Sequence, residues 1–116
     1  MNRIAVPVFK SRVSPVFDSC AHLLLVDLDQ NQEIARTEIL FEGLSEIDRL
    51  KILKKSGVST VICGAISDGF YKMISNAEIS MIIGIAGDVN QVISAFRCNR
   101  LGEPCFYMPG YNPSPG

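Results

Sequence analysis

The apolar pattern of this 116-residue chain changes character once, at Gly43, and that change limits the folds open to it. Before Gly43 the hydrophobic residues fall only in strand-like runs. After it, strand-like and helix-like segments alternate. Arg3 to Phe9 places Ile4, Val6 and Val8 on one face of a strand and Ala5 and Phe9 on the other. Pro7 has no N–H to give a ladder, so a local break in pairing is expected there. Lys10 to Cys20 reads as a loop broken by Ser14-Pro15. Leu23 to Leu28 is an unbroken apolar run, suited to a buried strand, and Asp29-Gln30-Asn31-Gln32 turns it into a hairpin partner over Glu33 to Leu40.

Beyond Gly43, Leu44, Ile47, Leu50 and Leu53 recur every three residues. Acidic Glu42, Glu46 and Asp48 come early and Lys51, Lys54 and Lys55 late, as a helix dipole favours, with Gly57 as the stop. Ser59 to Cys63 is a β-branched strand. Ser67 can cap a short helix with Phe70, Met73, Ile74 and Ala77 as its buried stripe. Ile79 to Ile85 is a further strand. Asp88 with Gln91 three residues on forms a variant capping box before the face Val89, Val92, Ile93 and Phe96. The order β-β-β-α-β-α-β-α predicts three antiparallel strands followed by parallel β-α units with right-handed crossovers. The first strand should then lie centrally, between the Leu23–Leu28 and Ser59–Cys63 strands.

The length suits one domain, taken here as residues 1–110, with 111–116 as a flexible proline-rich tail: four of six prolines follow Glu103. Cys105-Phe106-Tyr107-Met108 is apolar enough to pack back on the body. Eleven Lys+Arg against twelve Asp+Glu leave a net charge of −1, without the basic excess that nucleic acid requires. No apolar stretch is long enough to cross a bilayer and no secretory signal opens the chain, so a cytoplasmic location is expected. Cys20, Cys63, Cys98 and Cys105 form no C-x-x-C pair, which argues against zinc knuckles, redox pairs and ferredoxin runs. Most of them should be small buried hydrophobes.

In an open α/β sheet ligands gather at the carboxyl ends of the parallel strands. Three turns meet that edge: Lys10 to Asp18, Cys63 to Gly69, and Ile85 to Asp88. Two lead into helix N-termini at Ser67 and Asp88, whose free N–H groups attract anions. Gly64, Gly69 and Gly87 either let backbone approach a ligand or only make tight turns. Arg12 adds positive charge. Cys20 and His22, two apart, would share a face on a strand and could form a Cys–His metal-ligand pair or a nucleophilic dyad. The opposing reading makes His22 a hydrogen-bonded edge residue. The first strand carries no carboxylate, so two-metal phosphoryl chemistry is not assembled there.

Ile4-Ala5-Val6-Pro7-Val8, Val13-Ser14-Pro15-Val16-Phe17-Asp18, Leu24-Leu25-Val26-Asp27, Cys63-Gly64-Ala65-Ile66-Ser67, Gly87-Asp88-Val89 and Met108-Pro109-Gly110 follow in order from Ile4 to Gly110. Together they resemble the dinitrogenase iron–molybdenum-cofactor-binding family, which includes NifX, the C-terminal region of NifB and the orange protein. The resemblance implies a ribonuclease H-like fold: a three-layer α/β arrangement with a five-stranded mixed sheet. Many members carry histidine where this chain has Val16, and a cysteine often follows Met-Pro-Gly where this chain has Tyr111.

The leading expectation is a small accessory or carrier protein, not an enzyme. It would bind an anionic metal–sulfur cluster, iron–molybdenum or related, and exchange it with a cluster donor or acceptor protein. Cofactor contacts are expected from Arg12, Cys63, Gly64, Ser67, Gly87 and Asp88, with Cys63, Cys20 and His22 as metal ligands. Alternatives are a metal-free regulatory or interaction domain, and a ribonuclease H-like hydrolase. Oligomeric state is not legible.

Overall fold

The computed structural model describes residues 2–108; the expected tail and the Pro109-Gly110 and Tyr111 positions lie outside them. The chain runs through β1 (Asn2–Phe9), β2 (Arg12–Val13), β3 (His22–Asp29), β4 (Gln32–Leu40), α1 (Glu46–Lys55), β5 (Thr60–Ile62), α2 (Asp68–Asn76), β6 (Ser80–Ile82), α3 (Val89–Arg97) and a 3₁₀ turn (Pro104–Phe106). The sheet order is β4-β3-β1-β5-β6, with β2 beside β1. β1 is therefore central, antiparallel to β3 and parallel to β5, as the sequence order requires.

The sheet has six strands rather than five. The added strand, β2, arises because Lys10 and Ser11 adopt left-handed φ of 50° and 66° and reverse the chain onto β1, pairing Val8 with Val13. Two residues are too few to show a periodicity. Gln30 and Asn31, also at positive φ, make the same kind of two-residue turn between β3 and β4. The parallel strands are shorter than expected, three residues each. Pro7 does not interrupt the β3 ladder, where it pairs with Leu23. Its carbonyl accepts from the Ser14 N–H at 2.8 Å, so its missing N–H also faces away from β3. The break falls on the other side, where β1 meets β5 only through Ile4 and Ala5.

Alternation along β1 and β3 feeds two cores. Ile4, Val6, Leu24 and Val26 pack under Val89, Val92 and Ile93 of α3, while Phe106 and Tyr107 return against the same cluster. Ala5, Leu23 and Leu25 pack under Leu53 of α1 and Phe70 and Ile74 of α2, with Phe17, Phe41, Cys20 and Cys63. The helices thus cover both faces of the sheet. Their caps follow the sequence: Ser67 accepts from the Phe70 N–H, Asp88 from the Gln91 N–H, and Gly57 takes a left-handed φ of 71° just past α1.

α1 departs from its expected stripe. Ile47 is 58% exposed, whereas Arg49 is buried at 4%. A strict three-residue repeat drifts around a 3.6-residue helix, so a stripe anchored on Leu53 selects position 49 and turns Ile47 outward. Arg49 is stabilised by carbonyls rather than a carboxylate. Its Nη1 donates to the Cys20 carbonyl at 2.8 Å and more weakly to that of Phe17, and its Nε donates to the Leu44 carbonyl at 3.1 Å. The guanidinium lies 5.2 Å from the Phe41 ring centroid. Arg49→Met, which keeps the stem but leaves these carbonyls unpaired, should lower the free energy of unfolding by about 2–4 kcal/mol. Urea denaturation of both proteins measures this.

Candidate functional site

The three turns at the carboxyl edge are joined by backbone hydrogen bonds into one surface. The Phe17 N–H donates to the Ala65 carbonyl at 2.9 Å and the Ala65 N–H to the Pro15 carbonyl at 2.8 Å. Val13 N–H donates to the Gly87 carbonyl at 3.0 Å, and Val89 N–H to the Ser11 carbonyl at 2.9 Å. Gly84 N–H reaches the Gly64 carbonyl, and Met108 N–H the Gly84 carbonyl. The sequence placed these turns on one edge but gave no sign that they would consume one another's backbone groups.

This pairing explains Gly64. A Cβ there would lie 2.7 Å from the Pro15 carbonyl oxygen and 3.1 Å from that of Ser14. The glycine is required by the approach of the first turn. Gly87, with φ of 129°, needs its freedom to turn the chain into α3. Gly69 has open space beside it.

Both helix N-termini already face a carboxylate of this chain. Asp18 reaches across from the first turn: the Ser67 N–H donates to its Oδ1 at 2.8 Å and the Ser67 hydroxyl to its Oδ2 at 2.5 Å. Partial burial opposes ionisation of Asp18, but these bonds prevail and hold its carboxyl below the usual range. Glu46, at the start of α1, lies beside Asp18, and its carboxyl is pushed upward by that neighbour. Asp88 caps α3 itself. Arg12 is exposed, and its backbone pairs with Asp88.

The remaining expected ligands are dispersed. Cys63 is fully buried under α1 and α2, and its thiol is pushed up to about 12 by burial, then by the neighbouring Cys20 and Asp18. Cys20, 3% exposed, is pushed up to about 11 by burial, which Arg49 only partly offsets. Both thiols are therefore protonated near neutrality. His22 and Cys20 do not share a face. Cys20 precedes β3 and turns into the α1–α2 core, whereas His22 is the first residue of β3 and its Nδ1 lies 3.1 Å from Glu38 Oε2. Cys98 and Cys105 are exposed, so only two of the four cysteines act as buried hydrophobes. Among the described residues, no three His, Cys, Asp or Glu side chains converge as a metal site. A cavity of about 490 Å³ beside β6, lined by Tyr71, Met81, Ile83, Phe96 and Tyr107, contains none of the expected site residues.

Comparison with known proteins follows this geometry. The description of the dinitrogenase iron-molybdenum cofactor family matches residues 1–99. The chain belongs to that family. It is 30% identical over 94 residues to the uncharacterized protein MJ0327 of Methanocaldococcus jannaschii, covering 81% of this chain and 86% of that one. The crystal structure of MJ0327 superposes with a TM-score of 0.73 at 26% identity, covering 86% of this chain and 92% of the other. The apo orange protein of Desulfovibrio gigas shares the fold, with a TM-score of 0.70 at 23% identity over 86% of this chain and 90% of that one. No described helix is long and apolar enough to cross a membrane.

Two outcomes follow for this family member. Gly64→Ala should cost about 1–3 kcal/mol, because the Pro15 carbonyl is backbone and cannot swing aside; thermal unfolding measures the loss. Asp18→Asn should cost about 1 kcal/mol at pH 7 as α2 loses its anion. Because the Asp18 pKa is lowered on folding, its contribution is present above the unfolded value and is lost as the pH falls through the folded one. The gap between wild type and Asp18→Asn should therefore begin to narrow below about pH 4 and close as the pH passes the lowered folded value, as read by urea melts across that range.

Proposed function

We propose that this protein is an accessory carrier for an anionic metal–sulfur cluster, iron–molybdenum or related, which it receives from or passes to a partner protein without turnover of its own. Family membership over residues 1–99 carries the reading. The cluster is cargo rather than a resident cofactor, and the donor set suits that role. Two buried protonated thiols and a dispersed histidine do not make a tight metal centre, whereas a releasable anion needs only charge and shape. Arg12 makes no side-chain hydrogen bond or ion pair among the described residues, which leaves its guanidinium available at the rim near Gly87 and Asp88. We place the cargo there, against the half-buried backbone at Gly87, since Gly64 is covered by the first turn and Ser67 is held by Asp18. Cys63 and Cys20 would become ligands only if the first turn lifted from the Gly64 turn.

The same reading assigns the sheet to the ribonuclease H-like class, supported by the central β1 and the 4-3-1-5-6 strand order. A hydrolase reading is disfavoured because β1 carries no Asp or Glu at its centre.

Anaerobic reconstitution with iron, molybdate and sulfide, then desalting and metal analysis, tests the carrier. Wild type should retain metal and visible colour. Arg12→Glu should weaken retention about tenfold, equivalent to about 1.4 kcal/mol, and Cys63→Ser should leave it unchanged. Loss on Cys63→Ser with retention on Arg12→Glu would replace this charge-based seat with thiolate ligation. A wild type that holds no metal would favour the interaction-domain reading.

A further inference from the structure

β4 is the open edge of the sheet along nine residues, and seven of them, Gln32 and Ile34 to Glu38 together with Leu40, are exposed. Such an edge offers a row of unpaired N–H and C=O groups. β4 has no proline or lysine to blunt it, and its edge is guarded only by the charges of Glu33, Arg36 and Glu38 and by one bulge. It is irregular only near Ile34, where its register with β3 shifts. Ile34 and Leu40 are 56% and 60% exposed, among the most exposed large apolar side chains described.

Which backbone groups point outward follows from one bond. The Phe41 N–H donates to the Ala21 carbonyl at 2.7 Å, one step beyond the His22–Leu40 pair. In an antiparallel ladder the inward and outward residues alternate. Phe41, Ile39, Thr37 and Ala35 thus turn their N–H and C=O toward β3, and Leu40, Glu38 and Arg36 turn theirs outward.

A second copy pairing antiparallel about a twofold axis must bring outward residues opposite outward residues. Because the bulge at Ile34 ends this alternation, regular pairing is confined to residues 35–40, where the registers centred on Thr37 and Glu38 overlap most. Centring on Arg36 sets two guanidiniums opposite each other. Centring on Glu38 sets two carboxylates opposite each other. Centring on Thr37 places Arg36 opposite Glu38 of the partner, twice. We infer that this protein self-associates through β4 in the Thr37-centred register, joining two sheets into one.

Charge matching selects the Thr37-centred alignment. Arg36 already pairs with Glu33 and with Asn90, and Glu38 with His22, so both side chains are held over the strand. The guanidinium has five donors and keeps capacity for a further carboxylate. The two Arg36–Glu38 pairs supply four main-chain hydrogen bonds. Strand pairing alone buries less than a standard stable interface, so the dimer is expected to dissociate at a concentration on the order of 10 μM. This inference is independent of the cargo.

Sedimentation velocity from about 1 μM to about 1 mM should show a reversible monomer–dimer equilibrium. Glu38→Arg should shift dissociation at least about tenfold upward without changing thermal stability, since it opposes like charges at an exposed site. The double swap Arg36→Glu, Glu38→Arg should restore the dimer. Register is tested independently with Thr37→Cys on a Cys98→Ser, Cys105→Ser background. A Thr37-centred dimer makes this a non-hydrogen-bonded pair with Cα atoms about 4.5 Å apart, within disulfide range, so mild copper-phenanthroline oxidation should cross-link it. Wild type that stays monomeric throughout, a Glu38→Arg dimer as tight as wild type, or Thr37→Cys that fails to cross-link would each overturn the proposal.

Discussion

The contact between Gly64 and the Pro15 carbonyl is the constraint on which the arrangement of the carboxyl edge depends. The first turn belongs to the antiparallel half of the sheet and the turn after β5 to the parallel half. β1 and β5 share only Ile4 and Ala5 as ladder partners, so the strands alone hold these halves together weakly at that end. The bridge between Val16 and Ala65 continues the junction past the strands, and it forms only because residue 64 has no Cβ. From there the pattern propagates. Gly64 receives Gly84, Gly84 receives Met108, and Phe106 receives Ala86, so that the C-terminal segment closes on the third turn.

Arg49 does comparable work from beneath. It links the carbonyls of the first turn's end to the segment entering α1, in a core otherwise made of Phe17, Phe41 and Phe70. A carboxylate partner would bring a second buried charge to desolvate, whereas carbonyl dipoles already present in the loop satisfy the donors without one. All the buried polar side-chain atoms described have partners. The same guanidinium lies 3.4 Å from the Cys20 sulfur, yet burial still leaves that thiol protonated.

The elements legible in the sequence were those with a local physical cause. Capping at Ser67 and Asp88 needs only residues three apart, and the hairpin at Gln30-Asn31 only two residues able to take positive φ. The central position of β1 followed from element order. What stayed hidden was non-local. Gly64 read equally well as a ligand cradle or a tight turn because its neighbour, Pro15, is 49 positions away in sequence. Arg49 carried a weak signal, its i−4 relation to buried Leu53, but a charged residue on the core side is recognised only once its carbonyl partners are placed. Cys20 and His22 were misaligned because the two-residue rule holds within a strand, and β3 begins at His22, after Cys20.

Asp18 changes how charge at the edge should be understood. A helix N-terminus with free N–H groups is generic for anions, and any small phosphate or sulfate could compete there. With Asp18 bound to the Ser67 amide and hydroxyl, α2 is already neutralised, and Glu46 beside it adds negative potential when ionised. On the α3 side the exposed Arg12 stands beside the capping carboxylate of Asp88, so both helix N-termini are already answered by carboxylates of this chain. Positive charge available to an anion at this edge therefore comes from the Arg12 side chain rather than from a helix end. Under the proposed carrier reading, this would suit a broad anion whose charge is spread over many atoms better than a compact oxyanion, because a broad one could rest on Arg12 and extend over neutral backbone away from Asp18. Selectivity would then reside in Asp18 as much as in Arg12, and the carboxylate in the first turn would act against small competitors without touching the cargo.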